Sequence, residues 1–125
     1  MESEVPQLRL RTTAIRTGVQ LVTAAGELDR ATAPELERAL AAVPVAADVV
    51  VDLDEAHVDD AAALTVLAAS SARLRARGNE LTVVCEHDAA TRTLLRRAGV
   101  SVSEAHEAAV RYLLGRRLLR RLRGR

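Results

Sequence analysis

Residues Val49 to Gly78 read VVVDLDEAHVDDAAALTVLAASSARLRARG. The opening run Val49-Val50-Val51-Asp52-Leu53 is short, apolar and β-branched, which predicts a strand buried on both faces rather than a helix. A helix follows: Leu64, Leu67, Ala68, Ser71 and Leu74 recur at three- and four-residue steps and share one face, and Gly78 supplies a left-handed stop. Between the two, Asp52, Asp54, Glu55, Asp59 and Asp60 are expected to form an acidic turn that ends in Ala61-Ala62-Ala63. A turn at the carboxyl end of a central strand, leading into a helix N-terminus, is where open α/β sheets place function, so the site is sought here first.

On the N-terminal side, Leu8 to Thr12 alternates with period two and predicts a strand with one covered face. A turn at Thr17-Gly18 joins it to a second strand over Val19 to Ala25, giving a hairpin. Gly26-Glu27-Leu28-Asp29 is read as leaving the sheet, and Thr32-Ala33-Pro34-Glu35 as a capping box opening a helix with Leu36, Ala39, Leu40 and Val43 on its apolar side. On the C-terminal side, Leu81 to Cys85 is a further strand. Asp88 caps a short helix carrying Leu94, Leu95 and Ala98, Val100 to Val102 is a brief strand, and Ser103 begins a last helix with Ala105, Ala108, Ala109, Tyr112 and Leu113 along one side. The order predicts an α/β fold with a mixed, mostly parallel central sheet of four or five strands and helices packed on it.

The chain has 125 residues, enough for one domain with a single core. It holds one Tyr, no Phe and no Trp, so Leu, Val, Ala and Ile must build the core, and recognition by aromatic stacking has little to work with. Lys is absent, which excludes lysine chemistry. The single Cys85 excludes an internal disulfide and fits a reducing, cytoplasmic setting. The start MESEVPQ is acidic where a secretory signal is basic, and no run reaches a membrane span. Charge is unevenly placed: residues 1–110 balance at −6, whereas 111–125 carry seven Arg and no acid. The expected organisation is therefore a domain over 1–110 with a basic C-terminal helix or tail over 111–125.

Asp52, Asp59 and Asp60 suggest a magnesium site of the receiver type, but such a site also needs an acidic pair after the first strand and a Lys after the last. Solvated acids that favour the positive end of the next helix are the better reading. His57, His87 and His106 lack ligand spacing, Cys85 reads as a small buried hydrophobe, and no phosphate loop or Ser/His/Asp set is present. No catalytic residue, no cofactor and no metal are expected. The tail RYLLGRRLLRRLRGR places Leu114, Leu118 and Leu122 on one side of a helix, Arg116, Arg120 and Arg123 opposite, and Arg117 and Arg121 as flanks. That pattern suits an anionic membrane, nucleic acid or an acidic groove, against the plainer reading of a last helix packed on its own sheet with a frayed end.

From about Leu8 to Val110 the chain resembles the STAS domain of bacterial anti-sigma factor antagonists. Gly26-Glu27-Leu28-Asp29 and Thr32-Ala33-Pro34-Glu35-Leu36 are similar to the family's GELD…TAPxL segment, and Val51-Asp52-Leu53 to its central strand. From there to Gly78 the pattern VxLDLSGVxFIDSSGLGxLL…ARxRG lies on the chain without a gap. In that register Asp60 is the Asp before the kinase-accepting Ser, the acceptor position is Ala61, the next Ser is Ala62 and the Gly is Ala63. A one-residue shift would put Asp60 at the acceptor and cost Leu64 its match. Asp59 stands where the family has an apolar residue.

The resemblance implies a non-enzymatic regulator: an anti-sigma factor antagonist without the phosphorylatable serine. Its implied partner is an anti-sigma factor serine kinase or related regulatory protein, held by Asp59 to Leu64 with Leu67 and by the loop Asp29 to Thr32. The alternative is a STAS accessory subunit of an ABC-type lipid transporter, or a module attached to an anionic membrane or nucleic acid by its arginine tail. No small-molecule substrate is implied, and a homodimer is left open.

Overall fold

The computed structural model describes residues 8–59 and 61–124; residues 1–7, Asp60 and Arg125 lie outside the described residues. Nine elements follow in order: β1 (Leu8–Arg16), β2 (Val19–Leu28), α1 (Ala33–Ala41), β3 (Asp48–Val58), α2 (Ala61–Ala76), β4 (Leu81–Val84), α3 (Ala89–Arg97), β5 (Ser101–Ser103) and α4 (His106–Arg123). They build one five-stranded sheet in the order β1-β2-β3-β4-β5. The β1/β2 hairpin is antiparallel and every other pair is parallel, as the alternation of strands and helices implies. Gly18, at φ +80°, makes the hairpin turn. The sheet's edges are β1, which exposes Arg9, Arg11 and Arg16, and the three-residue β5.

Alternation along β3 divides the core. Val49, Val51 and Leu53 face Leu36 and Leu40 of α1, Ala63, Leu67 and Leu74 of α2 and Leu95 of α3. Val50 faces the other way, and with Val19 and Val84 it meets Ala109 and Leu113 of α4. Three helices therefore cover one face and a single helix the other, which is why β3 reads as a continuous apolar run.

Both strands before and at the centre outrun their expected ends. Gly26, Glu27 and Leu28 remain in β2, and Asp52, Asp54 and Glu55 are strand residues of β3 rather than an acidic turn. The cause is a bulge: Thr23 pairs with Asp52 but Ala25 pairs with Glu55, so β3 carries one extra residue there. Beyond it the facing is reversed, with Ala56 and Val58 now against the larger core and Glu55 and His57 exposed. Two other expectations change. The Thr32 side chain makes no bond to α1, so the capping box is absent. In α3, Leu94 is exposed and only Leu95 of the expected pair is buried, while Asp88 caps the helix by accepting from the Thr91 amide at 3.0 Å.

The end of the sheet nearest the β1/β2 turn holds buried carboxylates. Asp48 accepts from Asn79 Nδ2 at 3.2 Å, from the Glu80 amide at 2.9 Å and from Arg117 Nη1 at 3.2 Å. Glu80 accepts from Arg75 Nε and from the Tyr112 hydroxyl, each at 2.8 Å. Burial alone pushes the Glu80 carboxyl up, but these hydrogen bonds outweigh it and hold it below its ordinary value. At the opposite end of α4's packed face, His106 Nε2 lies 2.5 Å from Asp52 Oδ2. The helix runs unbroken through Gly115 and across residues 110 and 111.

Arg117, expected as a free tail cation, is thus part of the fold, and its guanidinium also donates to the Gly18 carbonyl at 3.3 Å. Arg117→Ala should destabilise the protein by about 1–3 kcal/mol, because Asp48 loses an ionic partner while keeping two other donors. Arg120→Ala, at an exposed position, should stay within about 0.5 kcal/mol. Urea unfolding of the two variants makes the comparison.

Candidate functional site

The carboxyl ends of β2 and β3 and the first turns of α2 form one corner of the molecule. The loop after β2 is held by its own side chains. Asp29 Oδ1 accepts from the Ala31 amide at 2.9 Å and the Thr32 amide at 3.0 Å. The Thr32 hydroxyl donates to the Glu27 carbonyl at 2.8 Å and accepts from the Asp29 amide at 3.0 Å. Thr32 is buried and Asp29 half-buried, so both shape the loop, while Arg30 and Ala31 form its exposed tip. Sequence reading gave the loop Asp29 to Thr32 as a whole, naming its two supporting residues and not separating them from the two that face outward; an Asx-type turn at Asp29 is the signal that separates them.

Helix α2 begins at Ala61, which is exposed; Ala62 is half-buried. Ala63 and Leu67 are 0% exposed and belong to the core, which corrects their assignment to a partner-facing surface. Leu64 packs at the core's margin. The outward row of the helix is Ala61, Thr65, Ala69 and Ala72, spaced three and four residues apart. No charged residue occurs from Ala61 to Ala72. With Leu64, Ala68 and Ala98, the row's Ala61, Thr65 and Ala69 line a shallow, largely apolar depression between α2 and the end of α3. The Thr65 hydroxyl donates to the Ala61 carbonyl at 3.1 Å, while Ser70 and Ser71 are 1% and 2% exposed. Asp60 lies outside the described residues.

Asp59 follows β3 and is exposed, its amide donating to the Leu28 carbonyl at 2.9 Å. It stands beside a pair that the parallel register creates: Glu27 and His57 are direct partners, with Nδ1 of His57 3.2 Å from Oε1 of Glu27. Among the described residues, Glu27, His57 and Asp59 are the group whose ligand atoms come within 4.8 Å of one another and could hold a divalent metal. Spacing along the chain concealed them, since Glu27 and His57 are thirty positions apart. Asp52 and Asp54 take other work: Asp52 meets His106, and Asp54 Oδ1 accepts from the Glu86 amide at 2.6 Å. Burial pushes the Cys85 thiol up, which disfavours the reactive thiolate.

A family model described as "Mlab, STAS domain" matches residues 12–114. The chain is a STAS domain. Solved structures agree with this. An anti-sigma factor antagonist from Mycobacterium paratuberculosis is 26% identical with a TM-score of 0.70, over 86% of this chain and 94% of that one. The antagonist SpoIIAA in its unphosphorylated form is 12% identical with a TM-score of 0.66, over 94% and 100%. A STAS-domain antagonist from Rhodobacter sphaeroides is 22% identical with a TM-score of 0.53, over 65% and 89%. A search of curated proteins finds no match. The STAS sheet and its helices therefore carry the corner described above, in a fold shared with solved anti-sigma factor antagonists.

The hydrogen bond from Glu27, followed by the charges of Glu27 and Asp59, raises the His57 pKa above its ordinary 6.5. The protonated ring is favoured by folding, so its contribution is present at low pH and fades as pH rises through the raised value. An NMR titration should give His57 a midpoint above 6.5, and Glu27→Gln should bring it back towards 6.5.

Proposed function

We propose that this STAS domain is a non-enzymatic regulator that docks an anti-sigma factor serine kinase, or a related regulatory protein, without a phosphorylation switch. The observation that carries this reading is the outward row of α2, which presents methyl groups and one hydroxyl over three turns and no charge. A neutral, small-residue helix face beside an apolar depression suits close packing of a partner. Ala61, Ala62, Leu64 and Thr65 form its centre, with Asp59 and the loop tip Arg30-Ala31 as its rim. Ala63, Leu67, Asp29 and Thr32 support it from below.

By resemblance, Ala61 occupies the acceptor position. A doubly charged phosphate at the start of a helix would change a neutral docking face into an anionic one and release the partner. A methyl group cannot take that phosphate. Thr65 sits one turn inside the helix with its hydroxyl committed to the Ala61 carbonyl. The surface consequently keeps one charge state.

Candidate anti-sigma kinases and radiolabelled ATP test both halves. The wild-type chain should form a stable complex and take up no phosphate, and Ala69→Arg should weaken the complex at least about tenfold with the melting curve unchanged, since it introduces an unpaired charge at the packed face. Ala61→Ser should gain phosphate and then dissociate. Phosphate on Thr65 of the wild type, or failure to bind any such kinase, overturns the proposal.

A further inference from the structure

Helix α4 spends only part of its surface on its own sheet. Ala109 and Leu113 are buried and Arg117 is pinned to Asp48, and these positions share one side. On the opposite side Leu114 is 37% exposed, Leu118 53%, Leu119 52% and Leu122 58%. At 100° per residue these four leucines fill a sector about 140° wide that points away from the sheet. Arg121 borders one side of the sector and Arg123 the other, both exposed, and Arg111 lies within it one turn before Leu114. No acidic residue follows Glu107.

We propose that this face of α4 lies on an anionic lipid surface. Four solvent-facing leucines in one sector are unfavourable in water and gain nothing against a phosphate backbone, so nucleic acid accounts for the arginines but not for them. The leucines run along the outer side of α4, where Leu114 and Leu118 also line shallow depressions beside Arg16 and Thr17. A bilayer interface covers such a face along its whole length, and the bordering arginines reach lipid phosphates while their stems follow the apolar sector. Charge complementarity points the same way: Arg111, Arg121 and Arg123 stand in or beside the leucine sector, whereas residues 1–110 are net acidic. No helix among the described residues is long and apolar enough to cross a membrane, so the attachment is peripheral. It uses the sheet face opposite α2 and does not depend on the docking function proposed above.

Vesicle flotation tests this with the full chain on phosphatidylcholine alone and on phosphatidylcholine mixed with phosphatidylglycerol. Binding should require the anionic lipid and fall steeply with added NaCl. The double substitution Leu118→Gln/Leu122→Gln should reduce it at least about tenfold, and Arg121→Gln/Arg123→Gln by roughly twenty- to thirtyfold, near fivefold for each charge. Circular dichroism and urea unfolding should match the wild type, because all four side chains are exposed. The proposal is overturned by absence of binding to anionic vesicles or by binding that the leucine substitutions leave intact. Equal binding to duplex DNA, or a leucine-dependent dimer in sedimentation without vesicle binding, would assign the face to those partners instead and equally overturn it.

Discussion

Asp48 brings a carboxylate into the protein at the start of the central strand and leaves it with 1% exposure. An uncompensated charge there costs several kcal/mol, so its donors from Asn79, Glu80 and Arg117 are a condition of folding rather than an ornament. Arg117 reaches it from the last helix. That single reach fixes α4 over Val19, Val50 and Val84, a patch which must be covered because the neighbouring strands are parallel and apolar on both sides. Tyr112, bonded to Glu80, and His106, beside Asp52, set the helix's roll and its start. With its inner side fixed by these contacts, the helix has no freedom to turn its outer leucines inward.

The same sheet keeps two surfaces apart. On the side of α1 to α3, β3 delivers the chain to the first turn of α2, whose outward row is uncharged. On the other side α4 presents arginine and leucine. The bulge in β3 makes the separation workable: by reversing the facing after Asp54 it keeps Ala56 and Val58 in the core and sends Glu55 and His57 outward. Without the extra residue, a strand of eleven residues would carry its charged end into the packed face.

Much of this was legible in the sequence, and the failures have physical causes. Val49 to Val51 announced a strand covered twice, the β1/β2 hairpin followed from its alternation and Gly18, and Asp88 capped the expected helix. The end of β3 was lost because a bulge breaks period two, and broken alternation looks like a turn. The capping box at Thr32 was lost because Glu27 and Asp29 compete for the same hydroxyl. At the candidate site, the helix start at Ala61 was readable from composition. Which alanine faces outward was not, since Ala61 and Ala63 differ only in rotation about the helix axis. Arg117 could not be separated from its neighbours either, because its partner Asp48 is sixty-nine positions away.

The two margins of the sheet also shape how the molecule meets others of its kind. Along β1, unpaired backbone groups sit among the cationic side chains of Arg9, Arg11 and Arg16, and at the far margin β5 offers only three residues. An approaching strand would find repulsion at one border and too short a ladder at the other. Continuous extension of the sheet from molecule to molecule is thereby discouraged, and encounters between neighbours are left to the helices.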